Sequence, residues 1–193
     1  GVPAFYTIIP GAHFRERAAA TSVGMFTAKL ISENFPPDEA LGRLAEMERL
    51  LPGKYYVQFY LGTARLALGD VEEALTCLNR ALDREPNEQD LPAIYSYMGV
   101  SLKEMGRYRD ALSVLDKGAA LDADRTDIHN LRGFCYFKLK EHEKAIDCFK
   151  TVLRLDPGSA IDYANVGVNY RDLGETEKAM EYFLKAQIGR AHV

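Results

Sequence analysis

The sequence predicts an all-α fold, a right-handed α-solenoid of helix-turn-helix units, and three observations carry that expectation. Gly62, Gly99, Gly133 and Gly167 recur at spacings of 37, 34 and 34 residues. Ala74, Ala111, Ala145 and Ala179 recur at the same three spacings, each twelve residues after its glycine. A polar break falls inside every such interval, in LALGDVEEA, KEMGRYRDA, FKLKEHEKA and RDLGETEKA. Self-similarity at a period of roughly 20 to 50 residues marks one supersecondary unit stacked on copies of itself, and here each unit reads as two helices and a tight turn.

In chain order, residues 2–9, VPAFYTII, read as a mostly apolar strand closed by Pro10 and Gly11, so residues 1–20 are expected to be the end of a preceding domain. The start lacks a basic signal region and an initiator Met, which suggests a longer parent. Residues 21–54 read as a degenerate hairpin whose first helix is TSVGMFTAKLISEN. In it Ala40, Leu44, Met47 and Pro52 fall 34 residues before Ala74, Leu78, Ala81 and Pro86. Four clear units follow at 55–88, 92–125, 126–159 and 160–187, with residues 89–91 lengthening one loop.

Within a unit the first helix carries apolar residues at helical spacing, as in Tyr163, Val166 and Tyr170, with Gly167 on the same face. The second does likewise with Ala179, Phe183 and Ala186. A mid-helix glycine costs about 1 kcal/mol against alanine, so its return at one phase implies a steric need where two helices cross. Pro86 and Pro157 close their second helices, and Ser159 is the expected N-cap of the next. The ending IGRAHV breaks the register and resembles translated sequencing adapter, so residues 188–193 are expected to be a non-native tail.

The 34-residue phase with aromatic, Gly, Tyr, Ala, Phe, Ala and Pro at fixed offsets resembles the tetratricopeptide repeat. The last unit carries it most fully, with Tyr163, Val166, Gly167, Tyr170, Ala179, Phe183 and Ala186. The unit from Thr126 has Gly133, Tyr136, Ala145, Phe149 and Pro157, but His129 at the first aromatic position. The unit from Pro92 puts Gly118 at the second alanine and Ala123 at the proline, and the unit from Tyr55 has Arg65 in place of tyrosine. The resemblance implies a protein-interaction scaffold whose first helices line a concave groove. A shorter stretch, GVPAFYTIIPGAHFRERAAATSVGMF, is similar to the end of a YcaO-like domain found in some bacterial proteins before such repeats. It implies an alternative, the C-terminal part of an enzyme that activates backbone amides with ATP, with the repeats recruiting substrate.

Composition narrows the partners. Lys and Arg number 24 against 28 Asp and Glu, with no basic stripe, which disfavours nucleic acid. No apolar run reaches the roughly 20 residues that span a bilayer, so no membrane partner is expected and the compartment is read as cytoplasmic. Cys77, Cys135 and Cys148 follow no metal-ligand spacing and read as small buried hydrophobes, and the four histidines are scattered; no metal site and no cofactor are expected. No phosphate loop, GxSxG elbow or HExxH pair occurs. Glu72 and Glu73, like Glu175 and Glu177, flank second helices where carboxylates favour the dipole. No residue is assigned as catalytic, and the fragment is expected to be inactive.

Function is therefore placed on the free helix faces. At about 100° per residue, the positions of Ile161, Ala164, Val168 and Arg171 point away from the buried face of their helix. The equivalent groove residues are Tyr56, Phe59, Thr63 and Leu66, then Ser96, Val100 and Lys103, then Asn130, Phe134 and Phe137. The expected groove is aromatic and apolar, suited to a protein or peptide ligand or to the protein's own N-terminal domain, with burial of some of these residues by packing between successive units as the competing reading. One use that the resemblance to tetratricopeptide repeats implies, capture of an acidic C-terminal tail, needs Lys and Asn where Phe59 and Thr63 stand here, so it is disfavoured.

Overall fold

The structure, a computed structural model, describes the backbone of residues 13–190 and the side chains of residues 23–188. Among these are ten α-helices: α1 (His13–Asn34), α2 (Pro37–Leu50), α3 (Tyr55–Leu68), α4 (Val71–Leu82), α5 (Leu91–Glu104), α6 (Tyr108–Leu121), α7 (Thr126–Lys138), α8 (His142–Leu155), α9 (Ala160–Asp172) and α10 (Thr176–Arg190). One 3-10 turn, Glu88–Asp90, fills the lengthened loop, and there is no strand among the described residues. The strand expected at residues 2–9 lies outside them. α1 begins at His13, so the boundary drawn at residue 20 falls inside a helix rich in strong helix formers, RERAAA. Residues 188–190 continue α10, while residues 191–193 of the expected tail lie outside the described set.

Helices pair in sequence order, and the first helix of each unit packs on the second helix of the unit before it, which makes an all-α solenoid. The repeated glycines explain the pairing. A Cβ on Gly62 would fall 2.9 Å from Leu78, on Gly133 2.7 Å from Phe149 and on Gly167 2.8 Å from Phe183; on Gly99 it would run into Leu115. The partner is always sixteen residues on, one helical turn past the repeated alanine, and Ala74, Ala111 and Ala145 are fully buried. Leu78 and Leu115 are likewise wholly buried, each contributing about 1.5 to 3 kcal/mol relative to exposure.

The turns share one geometry. Gly69, Gly106 and Gly174 have φ of 85°, 72° and 80°, and Lys140 holds the same position at φ 62° without being glycine. In every case the next amide bonds back to the carbonyl five residues earlier, as in Asp70 N to Arg65 O at 2.9 Å and Glu141 N to Tyr136 O at 2.9 Å, the closure that lets a helix end and a second begin at once. α4 ends at Leu82, four residues before Pro86, whereas α8 runs to Leu155, close to Pro157. Ser159 caps α9, its Oγ accepting from Asp162 N at 3.4 Å.

Candidate functional site

The residues expected on the free faces of the first helices α3, α5, α7 and α9 are found in different settings. Of the residues expected there, Asn130, Phe134, Phe137, Ile161 and Val168 come together around a cavity of about 470 Å³ between α7 and α9. Thr63 and Leu66 line a smaller one of about 340 Å³ with Ser32 and Tyr97. Phe59 is half-buried, edge-on to Tyr60 and Tyr97 at 5.0 and 5.4 Å. Burial pushes the Tyr60 phenol up to about 12, with the Glu33 and Asp90 carboxylates adding to the shift. Val100 and Lys103 are half-buried; Lys103 pairs with Glu104 at 2.6 Å and stands 5.3 Å over the Phe134 ring. Arg171 is exposed and pairs with Asp172 at 2.8 Å.

Two expected groove residues are not in the groove. Tyr56 is only 2% exposed, because Gly24 of α1 leaves room for its ring to fold under that helix. Ser96, 5% exposed, is too short to reach the surface and donates instead to Asp127 Oδ2 at 2.7 Å. The rule of about 100° per residue gives the direction of a side chain but not the cover supplied by a neighbouring unit.

The larger cavity also contains residues that the reading of the free face did not include: Phe149, Ser159, Asp162, Asn165 and Asn169. Asp162 and Asn169 are 3% and 1% exposed. The Asp162 carboxylate accepts from Ser159 Oγ at 2.5 Å and from Asn165 Nδ2 at 3.3 Å. Asn169 Nδ2 donates to Asn165 O at 2.8 Å, and its Oδ1 lies 3.0 Å from His142 Nδ1, which donates when it carries the ring proton. Asn130 Oδ1 is buried with no hydrogen-bond partner. A signal for these residues exists in the repeat itself. Asp162 occupies the phase of Val57, Ile94 and Ile128, and Asn165 that of Tyr60, Tyr97 and Leu131.

Among the described residues no other cluster of reactive side chains gathers. Cys77, Cys135 and Cys148 are free and buried. Burial pushes their thiols up, Cys135 to about 11, away from the reactive thiolate. Among the described residues no group of three His, Cys, Asp or Glu is placed to hold a metal, and no helix is long and apolar enough to cross a membrane.

Comparison with known proteins agrees with this architecture. Tetratricopeptide repeat families match residues 36–96, 126–159 and 163–187. The chain is 28% identical over 157 residues to the anaphase-promoting complex subunit CDC16 of Saccharomyces cerevisiae, an alignment covering 77% of this chain and 18% of that protein. The chain thus spans under a fifth of the length of that relative. Among solved structures it is similar to MamA from Desulfovibrio magneticus RS-1, with a TM-score of 0.79 and 23% identity over 89% of this chain and 96% of that one. It is also similar to YrrB, a tetratricopeptide repeat protein described as having an unusual peptide-binding site, with a TM-score of 0.75 and 21% identity over 92% and 90% of the two chains.

Proposed function

Because this chain belongs to the tetratricopeptide repeat family and has the architecture of a protein-interaction scaffold, we propose that it binds a peptide segment of a partner in its concave groove, at the cavity between α7 and α9. One observation carries this reading. Side chains from two successive units converge on a recess of about 470 Å³, in which Phe134, Phe137, Phe149, Ile161 and Val168 stand beside the polar Asn130, Ser159, Asp162, Asn165 and Asn169. Ile161 at its rim is 70% exposed and Phe134 37%. Apolar walls with a few polar groups are what a recognition pocket requires, since burial supplies affinity and the polar groups supply orientation. YrrB, similar in fold, is described as having a peptide-binding site, which supports this reading. The role is one of binding rather than catalysis.

Selection of heptapeptides from a random phage-displayed library tests the proposal. The selected peptides are expected to bind the wild-type chain and to lose about tenfold or more in affinity for the Phe134→Ser/Phe137→Ser double variant, with its helical circular dichroism retained. Undiminished binding by the folded double variant overturns the assignment of the groove.

A further inference from the structure

The cavity holds one buried carboxylate, Asp162, that pairs with no cation among the described side chains. Asp162 accepts only from neutral groups, Ser159 and Asn165, and forms no ion pair with the described side chains. An ionised carboxylate held away from water without a cation is costly. Asp162 lies in the first turn of α9, where the helix dipole favours a carboxylate, but the dipole leaves it without a cationic partner.

The corresponding turn of α7 makes the contrast plain. There the acid is Asp127, one position earlier in the phase, and it is bound by Arg125 at 2.7 and 3.0 Å and by Ser96 at 2.7 Å. At the phase of Asp162 itself, α7, α5 and α3 carry Ile128, Ile94 and Val57, each at most 1% exposed. The array therefore places a carboxylate, in one unit only, where its other units are aliphatic.

We propose that this cavity is a subsite for a long basic side chain, lysine or arginine, of the bound peptide, with the Asp162 carboxylate as its counter-charge. The inference rests on the groove reading above and adds what the groove selects. A carboxylate offers about four acceptor directions, of which two are used here. Asn130 Oδ1, buried and unpartnered, supplies a further acceptor from the facing helix. Phe134, Phe137, Phe149, Ile161 and Val168 form walls suited to the methylene stem of such a residue. Lys103 and Lys138 each lie 5.3 Å from the Phe134 ring centroid on the α7 side, and Lys103 is neutralised by Glu104. The α9 rim at Ile161 is the uncharged approach. An arginine would meet the carboxylate with two parallel N–H donors, a lysine with one of three.

The test uses the heptapeptides selected by the wild-type chain. They are expected to be enriched in lysine or arginine. Replacing that residue by citrulline or norleucine, close in shape but neutral, should weaken binding to wild type about tenfold or more. It should change binding to Asp162→Asn less than about twofold, because the counter-charge is gone while an acceptor for Ser159 remains. Asn130→Ala, which has no capping role, gives a second arm and should also reduce the discrimination. Peptides without basic enrichment, or an equal loss with wild type and Asp162→Asn, overturn the subsite. If those peptides still depend on Phe134 and Phe137, the groove reading stands without it. Failure to select any peptide overturns both.

Discussion

Where α7 meets the unit before it, Ile128 and Cys135 are fully buried beside Leu102, Leu112 and Leu115. Where α9 meets its own preceding unit, the same two phases carry Asp162 and Asn169, buried almost as completely. The first seam is closed, with α5 packed directly on α7; at the second, α7 and α9 hardly touch, and the space between them is the cavity. The helix crossings inside the units do not differ in this way, since the glycine at the centre of each meets Leu78, Leu115, Phe149 or Phe183 at close range. The pairing within a unit is thus fixed by volume, and the seam between units is the part free to vary in polarity. That freedom is what turns a stack of equivalent hairpins into an array with one distinctive position.

Making the closed seam polar should have the largest effect. Ile128→Asp places a carboxylate in the apolar cluster of Leu102, Leu112 and Leu115 and removes a fully buried side chain. A loss of about 3 to 5 kcal/mol is expected in urea denaturation followed by circular dichroism. A loss below about 1 kcal/mol would mean that the seam can open and admit water, and the contrast between the two seams would disappear.

Much of this was legible in the sequence because the crossings repeat. Gly133 and Ala145 recur in phase with their equivalents, and the steric reason inferred from that recurrence is the one seen at Phe149. Ser159 was legible for a similar reason, since a cap is a local event. The groove was legible in part. Phe134, Phe137, Ile161 and Val168 follow from helical phase alone, whereas the burial of Tyr56 depends on Gly24, more than thirty residues away and in a different unit. Helical phase marks Asp162 neither as core nor as groove, because it lies on the seam between units. Only comparison with Val57, Ile94 and Ile128 at the same phase exposes it.

Closing the open seam should have a smaller effect of opposite sign. Asp162→Ile gives α9 the residue type of α5 and α7 at that phase. It forfeits the hydrogen bonds from Ser159 and Asn165, a loss of about 1 kcal/mol, while burying an isoleucine contributes about 1.5 to 3 kcal/mol. A net gain of about 1 kcal/mol is expected as a higher urea midpoint. A destabilised variant would show that the polar seam is structural, and that the cavity follows from packing rather than from a requirement for charge.

The smallest effect concerns the paired acid. Burial pushes the Asp127 carboxyl up, but its bonds to Arg125 and Ser96 outweigh that and hold it below the usual carboxylate value. Its folded value therefore lies beneath the unfolded one, near 3.9. The stability it contributes is complete above that pH and is lost as pH falls through the lowered value. The side chain is 44% exposed, so solvent screening keeps the contribution to at most about 1 kcal/mol. Asp127→Asn should be less stable than wild type at pH 6 by roughly that amount, and the two should converge as pH is lowered toward 2. A difference that persisted unchanged at pH 2 would show that the Ser96 bond, available to either side chain, was not the common part, and that Asp127 acts through packing. Convergence would leave Asp127 as the acid whose cation is supplied from within the chain, the state Asp162 is proposed to reach only when a ligand brings one.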